Sequence, residues 1–283
     1  MTVQIRRDKE IYATDGGWFH ARWHFSFDRY HDPGQMGVGA LRVFNDDRLQ
    51  AGAVWPMHPH ADIESCTYVV EGLFAHEDSL GNDGRLEPGA AQVMRFSSAG
   101  ALHSERNGSA TEGMRFLQFW ILPSQQGLEN SVQQRQYTQA DRQGRLLQIM
   151  GPAGEDGLDL AQDARVLVAR LPQGSRVTHD LGQGRGGYLY VLDGELEAAG
   201  DRLGGGDAAK LAGPDTVSVP YASYALTLGS PGDHADDRGQ LRRIVKQRRV
   251  VGSGRDVGAA ERKGAGARGQ LQYDGAGATA LRL

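Results

Sequence analysis

Cysteine is almost absent from this chain, since Cys66 is the only one among 283 residues. A single thiol excludes an internal disulfide and any zinc site built from several cysteines. Apolar runs approaching the ~20 residues of a membrane helix are also lacking, and no hydrophobic stretch follows the charged residues 1–9. We therefore expect a cytoplasmic protein without a membrane segment.

Neither sign of charge dominates the composition. The formal net charge is -4, which gives no general case for nucleic-acid binding, and the 39% hydrophobic content excludes a disordered chain. Proline is scarce at ten residues, whereas glycine reaches forty, which favours the many tight turns of an all-β protein. We expect a monomer with no direct nucleic-acid partner.

Short apolar stretches separated by turn-forming residues recur along the chain, and none shows a sustained 3.6-residue period. Such spacing is typical of a sandwich or barrel, and the similar texture of the two halves suggests an internal duplication. The predicted strands are 37–44, 63–76, 91–96, 115–122, 165–171, 187–192, 195–198 and 216–219. The Gln-rich residues 130–145 indicate a connector between the halves.

These observations divide the chain into four parts. Residues 1–125 and 146–230 form the two halves, with 126–145 between them, and 231–283 form a basic tail rich in glycine, alanine and arginine. The tail has too few apolar residues to bury much surface, so we expect it to be mostly disordered. Two interpretations of the tail stay open: a natural basic extension, or the product of an altered reading frame.

The strongest chemical signal is a pair of His-containing segments. His58 and His60 are two residues apart, and so are His103 and Glu105. Residues two apart on a strand point to the same face, so each pair presents two donor atoms together. Each histidine alone is ordinary, but the whole set indicates a transition metal bound by nitrogen and oxygen ligands.

The residues around these pairs resemble the pirin family of cupins, and more narrowly its bacterial quercetinase-like members. The motifs that carry the resemblance are HPH at 58–60, DIE at 62–64, HEDSLGN at 76–82, HSERN at 103–107 and FWILP at 119–123. It covers roughly residues 3–229. The resemblance implies a bicupin, meaning two tandem cupin β-barrels, with 1–125 as the metal-binding barrel and 146–230 as a barrel without metal.

The resemblance also implies a set of site residues. The metal ligands would be His58, His60, His103 and Glu105, holding one divalent ion, with Fe(II) the first choice and Cu, Ni, Mn, Co and Zn left open. The second shell would be Glu64, His76 and Asn107. In the second half, His179 has no chelating partner nearby in the sequence, so we expect no second metal there.

The activity that the resemblance implies is that of a quercetin 2,3-dioxygenase, the O2-dependent opening of a flavonol ring with release of carbon monoxide. A bound dication would stabilise the substrate oxyanion, and Glu105 would accept the substrate proton as general base. Two alternatives stay open: a metal-dependent redox sensor acting through a protein partner, and a metalloprotein whose true substrate is not a flavonol. Cys66 is expected to pack in a barrel wall.

Overall fold

Strands dominate the computed structural model, which describes residues 2–213, 216–220 and 224–231. Within these residues the helices are two three-residue 3-10 turns, Asp8–Glu10 and Ala140–Arg142, and none could cross a membrane. The all-β class predicted from the turn-rich composition is confirmed. The tail predicted at 231–283 lies outside the described residues from 232 onward.

The first half of the chain supplies twelve strands. They are β1 Thr2–Arg6, β2 Tyr12–Asp15, β3 Phe19–Trp23, β4 Leu41–Leu49, β5 Val54–His60, β6 Ile63–Glu71, β7 Phe74–Asp78, β8 Asp83–Leu86, β9 Ala90–Phe96, β10 Ala101–Asn107, β11 Met114–Ile121 and β12 Ser131–Gln136. All but β1 form two sheets, a seven-stranded one in the order β12-β9-β6-β11-β4-β3-β2 and a four-stranded one in the order β5-β10-β7-β8. These two sheets make the first barrel.

The second half supplies ten strands. They are β13 Leu147–Pro152, β14 Leu158–Leu160, β15 Arg165–Ala169, β16 Arg176–Asp180, β17 Arg185–Asp193, β18 Glu195–Ala198, β19 Asp201–Gly204, β20 Ala208–Ala212, β21 Thr216–Pro220 and β22 Tyr224–Pro231. A seven-stranded sheet in the order β1-β20-β17-β22-β15-β13-β14 is accompanied by two two-stranded sheets, β16-β21 and β18-β19. Together they make the second barrel.

Two strands differ from what the sequence suggested. The N-terminal β1 does not join the first barrel but pairs antiparallel with β20 of the second. Much of the polar segment predicted as a connector is the strand β12, which pairs with β9. Because β12 is an edge strand that pairs in its sheet with β9 alone, it needs few apolar side chains, and its polar sequence SVQQRQ does not indicate a strand.

The two seven-stranded sheets pack against one another through an apolar core that both halves share. Phe44, Phe119 and Tyr68 of the first barrel belong to the same buried cluster as Tyr188 and Tyr190 of the second. Cys66 lies in this cluster and is completely buried, as expected of a residue in the barrel wall. Burial raises the pKa of its thiol well above the usual value, which leaves it unreactive.

A buried ion pair lies within this contact between the barrels. Asp46 accepts two hydrogen bonds from Arg115, from Nη2 at 2.7 Å and from Nε at 2.9 Å. The Tyr190 hydroxyl of the second barrel donates to the same carboxylate at 2.6 Å, and Arg115 also donates to the Leu192 carbonyl at 3.3 Å. Burial alone would raise the pKa of Asp46, but the hydrogen bonds and charge of Arg115 outweigh it, and the pKa is lowered.

Replacement of Asp46 by Ala is expected to destabilise the protein by about 3–5 kcal/mol, because it leaves the buried guanidinium with only the exposed Asp193 carboxylate, at 3.7 Å, as a counter-charge. Urea unfolding followed by tryptophan fluorescence measures the loss. The lowered pKa means that the carboxylate stabilises the fold above its unfolded pKa of about 3.9, so the difference from wild type should shrink below about pH 4.

The matched control is Arg202→Ala, which breaks the surface pair of Arg202 with Glu195, whose side chains are 79% and 51% exposed. It should change the unfolding free energy by less than about 1 kcal/mol. Equal effects of the two substitutions would contradict a special contribution from the buried pair.

Candidate metal centre

The predicted ligands lie on β5 and β10, which pair antiparallel. In this register His58 lies opposite His103, and His60 lies opposite Ala101. Gly100 enters β10 at φ +75°, and a Cβ there would come within 2.9 Å of the His60 carbonyl oxygen. Only glycine allows this close approach without strain, so it fixes how tightly the end of β5 meets the start of β10.

A β-bulge places the first histidine. Between the pairs His103–His58 and Glu105–Trp55, β5 contains one residue more than β10. Trp55 and His58 are three positions apart, and in a regular strand residues at this spacing would face opposite sides of the sheet. The bulge brings both to the inner face, where the Trp55 ring packs on Trp18 and Phe19.

Three imidazoles converge at this point. The ring centroids of His58, His60 and His103 lie 4.5–4.8 Å from one another, and each offers a ring nitrogen within 4.8 Å of those of the other two. His103 is completely buried, His60 is buried and His58 is half-buried. The cluster is therefore open on the side of His58 and closed behind His103.

The burial and the protonation state of His103 are those expected of a metal ligand. Neither of its ring nitrogens has a hydrogen-bond partner within the described part of the chain, although both are buried. Burial, and then the nearby charge of His58, hold the pKa of His103 well below its usual value, so the ring is neutral. A buried neutral imidazole without a partner is costly, and a divalent ion shared with His58 and His60 would supply that partner.

The orientation of the His58 ring is fixed by a hydrogen bond to a backbone carbonyl. Its Nδ1 lies 2.8 Å from the carbonyl oxygen of Pro56, which requires that Nδ1 carry the proton and donate it. This leaves Nε2 as the donor atom for a metal, the usual arrangement for a ligating histidine. The carbonyl is available because β5 is an edge strand, where its two prolines also remove backbone donors that another strand could pair with.

Glu105 lies on the same strand as His103 but is tied to a different neighbour. Gln118 Nε2 of β11 donates to Glu105 Oε1 at 2.5 Å. Burial raises the pKa of Glu105 to about 7, although the hydrogen bond from Gln118 opposes the rise. The carboxyl is thus poised to lose or gain a proton near neutral pH. The Asp47 carboxyl, also buried, has a pKa raised by burial and then by the charge of Glu105.

Aromatic rings line the histidine cluster on the side of the larger sheet. Phe96 of β9 lies 5.1 Å from His60 and 5.2 Å from His103 between ring centroids, and Trp120 of β11 lies 4.9 Å from His60. Both aromatic side chains are buried. They exclude water from one side of the imidazoles and give that side a flat apolar surface.

Glu64, which the sequence placed in the second shell, faces away from the imidazoles. Its carboxylate accepts a hydrogen bond from Arg95 Nε at 2.9 Å, and both oxygens accept from the Ala161 backbone N–H at 3.0 Å. Burial raises its pKa despite these contacts. Its contacts join β6 to the loop after β14 and so link the two halves of the chain.

The other two predicted second-shell residues have separate surroundings. His76 lies opposite Glu105 in the β7–β10 register, and its Nε2 is hydrogen-bonded to Gln134, which also donates to Gln92 Oε1 at 3.0 Å. Asn107 donates to the carbonyls of Gln50 and Glu112 and accepts from the Ser109 backbone, so it holds the loops at the end of β10. The structure brings His76 next to Glu105, whereas the contacts of Asn107 are with these loops.

Sequence reasoning missed Gln118, whose side-chain amide donates to Glu105 Oε1. A signal was available, because Gln118 is the one polar residue within the apolar run FLQFWIL at 116–122. A buried polar residue in such a run must find a partner, so it marks a polar site inside the barrel. The contribution of the Pro56 carbonyl had no such signal, because it depends on the bulge.

The second barrel has a different interior. Leu189, Leu211, Val191 and Leu203 form its buried cluster, with Val177 of β16 packed against them. His179, also on β16, is half-buried, and burial lowers its pKa. This interior is apolar where that of the first barrel is polar.

Comparisons with known proteins agree with this arrangement. The family model described as Pirin matches residues 5–121, and the one described as quercetinase C-terminal cupin domain matches 148–228. A Zymomonas mobilis protein provisionally named quercetin 2,3-dioxygenase is 42% identical over 75% of this chain and 90% of its own length. The quercetin 2,3-dioxygenase of Escherichia coli K12 is 33% identical over 80% of this chain and 96% of its own.

A solved structure shows the same fold with a metal. The crystal structure of the bacterial pirin YhhW from Escherichia coli in complex with nickel(II) has a TM-score of 0.77 and 31% sequence identity to this chain. The match covers 82% of this chain and 100% of the other. The predicted bicupin is therefore confirmed, and the histidine cluster together with this relative supports a metal without identifying it.

Metal binding is expected to release a proton from Glu105 if that residue is a ligand. With a pKa of about 7, the free carboxyl is mostly protonated at about pH 6 and must lose its proton to bind an ion. Calorimetric titration with Ni²⁺ in buffers of different ionisation enthalpy counts the protons. Wild type should release about one more proton than Glu105→Gln at about pH 6, and the difference should vanish near pH 8.

The control for that titration is Glu77→Gln, a change to an exposed glutamate on the neighbouring strand β7, which should release as many protons as wild type. Identical release by wild type and Glu105→Gln at about pH 6 would mean that Glu105 does not bind the ion.

Proposed function

The chain belongs to the pirin family of two-cupin proteins, and we propose that it is a metal-dependent dioxygenase of the quercetin 2,3-dioxygenase type. The observation that carries the proposal is the convergence of three imidazoles beside the aromatic rings of Phe96 and Trp120. The substrates would be a flat, flavonol-like phenol and O2. The names of the relatives support this choice, and a cytoplasmic location and a monomeric state stay predictions.

The proposed ligands are His58, His60, His103 and Glu105, with Fe(II) as the metal. Three imidazoles and one carboxylate suit a mid-row divalent ion and leave positions open for substrate or O2. When bound, the ion would stabilise the oxyanion of the substrate and make electron transfer to O2 possible. The relative solved in complex with nickel(II) supports a divalent metal in this family.

Glu105 is the proposed general base. A flavonol must lose the proton of its 3-hydroxyl before the ring becomes electron-rich enough to react. A carboxylate with a pKa of about 7 accepts that proton near neutral pH better than an ordinary glutamate would, because its proton affinity is higher. Gln118 holds Oε1 through its amide, so Oε2 is the oxygen left to take the proton or to bind the ion.

The walls of the pocket are proposed to hold the substrate. Trp120 and Phe96 present apolar ring surfaces beside the imidazoles, and a planar phenol can pack against them with little loss of conformational entropy. The half-buried His58 marks the side from which the substrate would enter, since His103 is closed off.

The test is oxygen uptake with quercetin by iron-loaded protein, measured together with bound iron. Glu105→Gln should keep most of its iron, because three histidines remain, and lose about 10²–10⁴-fold in turnover, the usual contribution of a general base. His103→Ala should lose both iron and turnover. A matched control is His179→Ala in the second barrel, which should match wild type in both measurements.

Absence of oxygen uptake by protein that holds one iron per chain would contradict the proposed function. The metal ligands would then stand on the binding data alone, and a redox sensor or a different substrate would become the better explanation.

A further inference from the structure

Aromatic rings form an unbroken series that begins at the histidine cluster. The ring of Trp120 lies 4.9 Å from that of His60, Phe27 lies 5.4 Å from Trp120, and Trp23 lies 5.2 Å from Phe27, all between centroids. Trp120 and Trp23 are buried, with 6% and 3% exposure. The first part of the series thus joins two buried tryptophans through the half-buried ring of Phe27.

The series continues from Trp23 to the surface. Tyr12 stacks on Trp23 at 5.5 Å, and Tyr30 stacks on Tyr12 at 4.6 Å with ring planes 11° apart. Both tyrosines are half-buried, so solvent reaches them. The charges of Arg6 and Asp32 both act on the Tyr30 hydroxyl. We call the five rings from Trp120 to Tyr30 the aromatic series.

The order of residue types in the aromatic series matters for electron transfer. Tryptophan and tyrosine are the aromatic side chains that give up an electron most readily, whereas phenylalanine does not at potentials that proteins reach. Phe27 therefore bridges the two tryptophans without carrying charge itself. The Arg29 guanidinium lies 5.7 Å from the Trp23 ring centroid, and its positive charge disfavours a radical cation resting there. A positive charge that reaches Trp23 is thus driven on to the tyrosines.

We propose that the aromatic series is an electron relay that draws oxidising equivalents away from the metal site and delivers them to Tyr12 and Tyr30 at the surface. This proposal rests on the proposed function, because it requires a redox-active ion at the histidine cluster. Its role would be protection: a strong oxidant formed there by mistake would otherwise attack the imidazoles and the walls of the pocket.

The relay step balances as follows when the oxidant is the hydroxyl radical that peroxide gives with a ferrous ion. Trp120 gives one electron to the radical. Trp23 then reduces the oxidised Trp120 across Phe27, and the tyrosines reduce the oxidised Trp23. The half-buried Tyr30 hydroxyl loses its proton to solvent as it loses its electron. The hydroxyl radical, with one electron and one proton from solvent, becomes water, and a neutral tyrosyl radical remains at the surface.

Packing alone is the competing explanation, and the chain offers a matched comparison for it. Trp18 packs on Phe19 at 4.8 Å and on Trp55 at 4.5 Å in a second aromatic cluster of the same barrel. Its ring neighbours are thus different from those of the aromatic series. Replacing Trp18 or Trp23 by Phe keeps an aromatic ring in place, but only the Trp23 change removes a carrier from the relay.

The experiment treats iron-loaded protein with less than one equivalent of hydrogen peroxide. Freeze-quench electron paramagnetic resonance measures the tyrosyl radical, and peptide mass spectrometry locates the oxidised residues. Wild type and Trp18→Phe should both give the radical, with oxidation concentrated on Tyr12 and Tyr30. Trp23→Phe should lose the radical several-fold, and its oxidation should move to Trp120 and His60, with a matching loss of iron-binding capacity.

A second variant tests the relay independently of any folding defect in Trp23→Phe. Tyr30→Phe keeps the ring but removes the phenol, so the radical and the oxidation should move to Tyr12. His103→Ala, which should bind no iron, should give no radical. Equal radical yield and equal oxidation sites in wild type, Trp23→Phe and Tyr30→Phe would overturn the relay.

Failure of the relay and failure of the proposed function give different results. If iron binds and quercetin is consumed with O2 while Trp23→Phe behaves as wild type, only the relay is wrong. If wild type binds no iron, the proposed function fails and the relay fails with it.

Discussion

The division of side chains between the two faces of the large sheet in the first barrel is the constraint on which the site depends. Because alternate residues of a strand point to opposite faces, β11 sends Leu117 and Phe119 toward the second barrel and Gln118 and Trp120 into its own barrel. The outward set is buried by the other half of the chain. The inward set can then be partly polar, since apolar burial on the other face stabilises the same strand.

The second barrel contributes to the same shared core but has a different interior. Its large sheet also contributes to the shared core, through Tyr188 and Tyr190, but its own interior is filled by leucine, valine and alanine. Two barrels of one architecture thus have different roles. One packs its interior for stability, while the other keeps a buried polar interior, whose neutral His103 and high-pKa Glu105 suit metal and proton chemistry.

The sequence predicted the fold class, the two halves and the two histidine strands, because each rests on a local pattern: turn residues, strand texture or spacing by two. It did not predict that β1 crosses to the second barrel or that β12 is a strand, because both depend on pairing with distant partners. It also placed Glu64 in the second shell of the metal, whereas the structure shows that carboxylate bonded to Arg95 and Ala161. Spacing shows which residues share a face, but only the assembled sheets show what that face meets.

The central claim is that one metal ion lies among His58, His60 and His103. Anomalous diffraction from crystals of the metal-loaded protein, recorded at the absorption edge of the bound metal, tests it most directly. The account predicts one strong peak per chain within bonding distance of all three imidazoles, with Glu105 as the only protein oxygen near it. A peak elsewhere, or none in protein that holds one ion per chain, would contradict the account.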